Sequence, residues 1–87
     1  MDNLSFTTKA WEQYLEWQIT DKKITAKINA LIKDIQRNGL MTGIGKPETL
    51  KYKNAYSRRI DDCHRLVYES VENDNLRIIS CKGHYED

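Results

Sequence analysis

Apolar residues recur along this chain with two periods, and the switches between them mark its elements. Leu4 and Phe6 alternate with Asn3, Ser5 and Thr7, the two-residue period of a short half-buried strand. From Thr8 to about Thr20 the spacing turns helical. Trp11, Tyr14, Leu15 and Ile19 lie on or near one face, which places Trp11 in the core and leaves Trp17 off the stripe. Asp21 stands where an N-cap is needed for a second helix, whose apolar residues Ile24, Ile28, Leu31, Ile32 and Ile35 follow an i, i+4, i+7, i+8, i+11 pattern. Arg37 in the last turn complements the helix dipole, and Gly39 can take the left-handed conformation that ends the helix. The interval Thr20–Lys22 has room only for a helical hairpin.

Asn38–Pro47 reads as a loop, with Gly39, Gly43, Gly45 and the only proline. Thr49 to Lys53 then alternates strictly, sending Leu50 and Tyr52 toward the helices and Lys51 and Lys53 to the other face. Further on, Arg65–Val71 and Leu76–Cys81 are strand-like runs separated by Glu72-Asn73-Asp74-Asn75, an acidic, Asn-rich hairpin signal. If Ile60, Leu66 and Tyr68 face the helices, then Arg59, Arg65 and Val67 do not. Parity therefore gathers Lys51, Lys53, Arg59 and Arg65 on the sheet surface that the helices leave uncovered. Arg58 falls on the Ile60 side, which assigns it a structural or edge role. Leu76–Cys81 is apolar on both parities, the pattern of a strand covered on both faces near the middle of its sheet.

The 87 residues suffice for one domain with a modest core, and 31% charged against 39% apolar residues suits a compact soluble protein. No apolar run approaches the ~20 residues that span a bilayer, and Met1 is followed by no signal-peptide pattern, so the expected compartment is the cytoplasm. There Cys63 and Cys81, possible neighbours in a sheet, are expected as free thiols. Neither belongs to a Cys-x-x-Cys pair, and His64 and His84 make no zinc pattern, so neither a metal nor a cofactor is expected. The net charge is only +1, which argues against a generally basic nucleic-acid binder. The distribution is uneven, however: Lys46, Lys51, Lys53, Arg58, Arg59 and Arg65 outnumber Glu48, Asp61 and Asp62 between residues 46 and 65. Several cations with one carboxylate and one histidine suit phosphodiester chemistry in RNA. A base frees the 2′-hydroxyl to attack its own phosphorus, an acid protonates the departing 5′-oxygen, and guanidinium groups meet the charge that gathers on the phosphoryl oxygens. On composition alone, a surface His84 is the plainer reading and Glu48 is as readily a solvated loop residue.

Motifs in one order decide between them. Lys22-Lys23-Ile24 leads into Lys27-Ile28-Asn29 and Leu31-Ile32-Lys33-Asp34; then come Gly45-Lys46-Pro47-Glu48, Ser57-Arg58-Arg59-Ile60, His64-Arg65-Leu66-Val67-Tyr68 and His84-Tyr85. Over nearly its whole length the sequence resembles the YoeB branch of the RelE-type toxins of bacterial toxin–antitoxin pairs. The resemblance implies a RelE-like α+β fold in β-α-α-β-β-β-β order, a twisted antiparallel sheet of four to five strands backed on one face by the N-terminal helical hairpin. It also implies metal-independent mRNA cleavage in the ribosomal A site and neutralisation by a YefM-like antitoxin. Operator DNA would be bound only together with that antitoxin, and a homodimer is possible. By position, Glu48 matches the family's general base, His84 its general acid, and Arg59 and Arg65 its phosphate-stabilising arginines. Lys51 matches a lysine on the RNA backbone, Lys53 shares its face, and Tyr85 matches the tyrosine that helps place the substrate.

The sequence departs from the family pattern in three places. The link from Lys51 to Ser57 is short, Cys63 stands where an acidic residue is common, and Glu86-Asp87 follow the His-Tyr pair. Two other functions would use the same scaffold: a non-catalytic inhibitor of a protein target, like the ParE relatives, or an RNA- or operator-binding module that does not cut. The joint presence of Glu48, Arg65 and His84-Tyr85 favours the nuclease.

Overall fold

The computed structural model describes residues 1–51, 54–72 and 74–84; Tyr52, Lys53, Asn73, Tyr85, Glu86 and Asp87, with the expectations placed on them, lie outside the described residues. The elements are β1 (Asn3–Phe6), α1 (Thr8–Thr20), α2 (Lys22–Asn38), β2 (Glu48–Thr49), β3 (Ala55–Arg59), β4 (Arg65–Val71) and β5 (Asn75–Ser80). They build one five-stranded sheet in the order β1-β5-β4-β3-β2. The fold is α+β, with α1 and α2 on one face. Three strand pairings are antiparallel, whereas β1 runs parallel to β5, so the sheet is mixed. The helical hairpin carries the chain from the β1 edge to the opposite edge, where β2 begins.

Both helix starts are capped by side chains. Thr7 Oγ1 accepts from the Ala10 amide at 3.0 Å and donates to the Ile79 carbonyl at 2.9 Å, tying the start of α1 to β5. Asp21 Oδ1 accepts from Lys23 and Ile24 at 3.1 and 3.3 Å, which lets α2 follow α1 without a spacer. Helix α2 behaves as its stripe predicts: Ile28, Leu31, Ile32 and Ile35 are buried, and Gly39 (φ 96°) ends it. With Leu66, Tyr68, Leu76, Ile78, Ile60 and Cys81 they form the core.

Helix α1 corrects the expectation for the tryptophans. Its buried positions are Ala10 and Trp17, while Trp11, Leu15 and Ile19 are exposed, Trp11 by 47% and Trp17 by only 8%. The reason is the small Ala10, which lets the helix close on the residue after β5. Gln13 Oε1 accepts from the Cys81 amide at 2.7 Å, Trp17 Nε1 donates to the Cys81 carbonyl at 2.9 Å, and Cys81 Sγ donates to the Ala10 carbonyl at 3.7 Å. The face is set by small Ala10, Gln13 and Trp17 closing on Cys81, not by the apolar stripe of Trp11, Leu15 and Ile19. Trp11 instead joins Phe6 and Tyr14 in a surface cluster of rings, with centroids 5.7 and 6.0 Å from Trp11.

The double-parity pattern of Leu76–Cys81 also has a different cause. Tyr68 pairs with Ile78 but Val67 with Ser80, so β5 carries one extra residue at Ile79. This bulge resets the alternation, and Cys81 joins Leu76 and Ile78 on the helix face. Cys63 is exposed in the turn before β4, so the two cysteines, both free, are not sheet neighbours. The strand expected from Thr49 to Lys53 is shorter: β2 covers Glu48–Thr49, and the Leu50 amide bonds the Ala55 carbonyl at 2.9 Å, closing the short link back onto β3. Leu50 is half-buried and stands outside the core. No helix among the described residues is long and apolar enough to cross a membrane.

Truncating Trp17 to Ala should cost roughly 3–5 kcal/mol of stability, whereas Trp11→Ala should leave the melting temperature within a few degrees of the parent. Thermal melts of the two variants check this; equal losses would contradict the assignment of the helix face. Burial pushes the Cys81 thiol up to about 11, so at about pH 8 an alkylating reagent should label only Cys63 in the folded protein. Mass spectrometry should find a second adduct only after denaturation.

Candidate active site

The loop that delivers Glu48 is held by one buried cation. Arg58, 0% exposed on the helix side of β3, uses all five of its donors. Its Nε donates to the Tyr68 hydroxyl at 3.0 Å; Nη1 donates to Asp34 Oδ2 at 2.5 Å and the Ile44 carbonyl at 3.0 Å; Nη2 donates to the Gly39 and Thr42 carbonyls at 2.8 and 2.9 Å. The Tyr68 hydroxyl in turn donates a hydrogen bond to the Leu40 carbonyl at 2.6 Å. The 39–44 loop thus has no strand or helix of its own yet is fixed by its carbonyls. The hydrogen bond from Arg58 holds the Asp34 carboxyl below the usual range, against a partial burial that would raise it, and the Ile44 and Asn38 amides help. Burial raises the Tyr68 phenol, and its bond from Arg58 opposes that shift.

Two glycines let the loop pass this close. A Cβ at Gly43 would lie 1.8 Å from Asp34 Oδ2, and one at Gly45 would lie 2.8 Å from Leu31 Cδ2. Gly45 then accepts from the Arg59 amide at 2.6 Å, so the chain enters beside β3 and sets Glu48 opposite Ser57.

From that register the open face assembles. Glu48 pairs with Ser57, Ser57 with Val67, and Arg59 with Arg65, so Glu48, Ser57, Arg59 and Arg65 share the face away from the helices. Arg65 Nε donates to Ser57 Oγ at 3.0 Å, and its Nη2 lies 3.5 Å from Glu48 Oε2. That Nη2 is buried yet makes no hydrogen bond among the described residues. The Arg65 amide donates to the Gly83 carbonyl at 3.1 Å, so His84, exposed, follows directly on the flank of β4. Arg59 is exposed beside them, and Lys51 is exposed in the bend beyond β2. Farther along the same face, Arg77 is taken up by Glu69 at 2.7 Å.

The parity argument therefore holds for Arg59 and Arg65, and Glu48 and the His84 backbone are brought to the same edge. Lys53 and Tyr85 lie outside the described residues. Ser57 was missed, although its parity with Arg59 could have revealed it, and so was His64, one residue ahead of Arg65. Cys63 faces solvent, and the carboxylate beside Arg65 is Glu48. Among the described residues no group of three His, Cys, Asp or Glu side chains could hold a metal. A cavity of about 430 Å³ on the helix side, between Leu4, Phe6, Trp11 and Ile32, includes none of these site residues.

Residues 6–85 match the family model described as "YoeB-like toxin of bacterial type II toxin-antitoxin system". The chain is 49% identical over 84 residues to Toxin YoeB of Escherichia coli K12, covering 94% of this chain and 98% of that one. It superposes on YoeB in the heterotetrameric YoeB–YefM complex of Staphylococcus aureus with a TM-score of 0.87 and 49% identity, over 95% of this chain and 97% of that one. A YoeB dimer from the same organism gives 0.88 at 50% identity, with the same coverage. A sheet backed by a helical hairpin, with this likeness throughout, places the molecule among the RelE/ParE-type toxins. Within that class, the chain belongs to the YoeB toxin family of bacterial type II toxin–antitoxin systems.

Replacing Arg58 with Met would strand three loop carbonyls, the Tyr68 hydroxyl and Asp34, and should cost roughly 3–5 kcal/mol in denaturant melts. Because the folded state lowers the Asp34 pKa, its contribution is present above the unfolded carboxylate value and lost as pH falls through the lowered one. Asp34→Asn should therefore lose stability at neutral pH and flatten the acid limb of a stability profile. An unchanged acid limb would show that the carboxylate adds nothing to the loop's anchorage.

Proposed function

We propose that this protein is a ribosome-dependent endoribonuclease that cuts mRNA in the A site and so halts translation. The observation that carries this reading is Arg65. A guanidinium is anchored through one nitrogen to Ser57, lies 3.5 Å from a carboxylate through another, and keeps that second nitrogen buried without a hydrogen bond among the described residues. A buried, unpartnered donor is costly unless a ligand atom completes it. A phosphoryl oxygen, planar-matched and anionic, is the chemical complement.

In the proposed reaction Glu48 takes the 2′-hydroxyl proton and the 2′-oxygen attacks the adjacent phosphorus. Arg65 and Arg59 meet the charge on the non-bridging oxygens. The bond to the 5′-oxygen breaks as His84 gives it a proton, leaving a 2′,3′-cyclic phosphate and a free 5′-hydroxyl. Lys51 and Lys53 would hold the RNA backbone and Tyr85 would help place the substrate. All these roles use the protein's own groups, without metal or cofactor. The Staphylococcus aureus YoeB–YefM complexes support a YefM-like antitoxin as the partner; in this reading the antitoxin neutralises the toxin, and operator DNA is bound only by the pair. The dimer from that organism supports a homodimer, and the proposed site of action is the cytoplasm.

Brief expression followed by mapping of mRNA 5′ ends tests this reading. Discrete cuts within translated codons are expected. Glu48→Ala and His84→Ala should each lower cleavage by about 10²–10⁴-fold, and Arg65→Lys, which keeps charge but loses the planar fork, should also fall steeply. Glu48 and His84 are exposed, so both variants should melt with the parent protein. Growth arrest without cuts would point to a non-catalytic inhibitor. Tight RNA binding without cuts or arrest would point to a binding module.

A further inference from the structure

The three residues before His84 are held more firmly than the end of a sheet requires, and one of the holding groups is a histidine that the reaction does not use. Cys81 is fixed to α1 through Gln13 and Trp17. Lys82 pairs with Glu16 and lies 5.5 Å from the centre of the Trp17 ring. Gly83 is gripped at both backbone groups: its carbonyl accepts from the Arg65 amide at 3.1 Å, and its amide donates to His64 Nδ1 at 2.8 Å.

The His64 ring is itself set from two sides. It meets Trp17 edge-on at 4.8 Å and 73°. Its backbone closes the turn from Ile60: the His64 carbonyl accepts from Ile60 at 2.9 Å and Asp61 at 3.2 Å, while Asp61 Oδ1 accepts from the His64 amide at 2.8 Å. An amide can only donate, so Nδ1 is an acceptor and the ring proton resides on Nε2. One residue therefore links three parts of the molecule: the buried face of α1 and Gly83 through its ring, and the turn that launches Arg65 through its backbone.

We propose that His64 is a positioning residue, whose Nδ1 holds the Gly83 N–H and so fixes Gly83, whose carbonyl is bonded by Arg65, and thereby sets His84 against Arg65. This rests on the reading of the site given above, since it matters for catalysis only if His84 gives a proton to the leaving oxygen. A displacement of about 1 Å at a proton donor can cost about 10²-fold in rate. Among the described residues, His64 Nδ1 is the acceptor that holds the Gly83 N–H.

Three substitutions separate the acceptor from the ring. His64→Phe keeps a ring against Trp17 and removes the acceptor. His64→Asn puts an oxygen near the place of Nδ1. His64→Gln puts one near Nε2 instead and serves as a second loss variant if the Phe form folds poorly. Hydrogen exchange of the Gly83 amide, read by NMR on the intact protein, should be slow in the parent and in His64→Asn and at least tenfold faster in Phe and Gln. On programmed ribosomes, Phe and Gln should lower kcat by about 10- to 100-fold with KM unchanged, and Asn should recover most of the rate. A Gly83 amide that stays protected without the acceptor would overturn the proposal, as would rapid exchange with parental kcat. A parent protein that cuts nothing would refute the nuclease reading, and the exchange measurement would still decide whether His64 holds the peptide.

Discussion

The constraint on which the rest depends is a fully buried guanidinium with no donor to spare. Taking Arg58 out of water is expensive, and it is tolerated because Asp34, Tyr68 and three loop carbonyls occupy its five donors. The same bonds solve a second problem. Residues 39–47 must cross from the end of α2 to the edge of the sheet without a ladder of their own, and Arg58 takes up the Gly39, Thr42 and Ile44 carbonyls. Arg58 converts an irregular loop into a fixed strut, and Glu48 stands at its far end.

The open face is in turn a product of register. Because Glu48 lies opposite Ser57 and Arg59 opposite Arg65, a carboxylate, a hydroxyl and two guanidinium groups emerge on one side of three strands. A one-residue slip of β3 would exchange Arg59 for Arg58, sending a cation into the core and the strut's anchor into solvent. The adjacent arginines thus point to opposite sides of the sheet by parity alone, Arg58 into the core and Arg59 onto the open face.

Much of this was legible in the sequence. Helix boundaries followed from Asp21 and Gly39, the core face of α2 from its isoleucines, and the outward set from strand alternation. Three features were not legible, each because it depends on contacts remote in sequence. The buried face of α1 is chosen by Ala10, Gln13 and Trp17 meeting Cys81, so the helical stripe of Trp11, Leu15 and Ile19 misleads. The alternation of β5 breaks at Ile79, and no local signal distinguishes a bulge from a strand covered on both faces. The five partners of Arg58 come from α2, the loop and β4, so parity could assign it to the interior but not say what satisfied it there.

The parallel pairing of β1 with β5 has a consequence in time. Leu4 lies beside Leu76 and Phe6 beside Ile78, so the first strand waits for nearly the last residues before it finds its place. Contacts this distant raise the contact order and defer closure of the sheet. During synthesis the helical hairpin and its loop can form early, but β5, the Trp17 bond to Cys81 and the Gly83 peptide cannot. The open face around Arg65 is therefore completed late, and a nascent chain carries Glu48, Arg59 and Arg65 before the frame that aligns them.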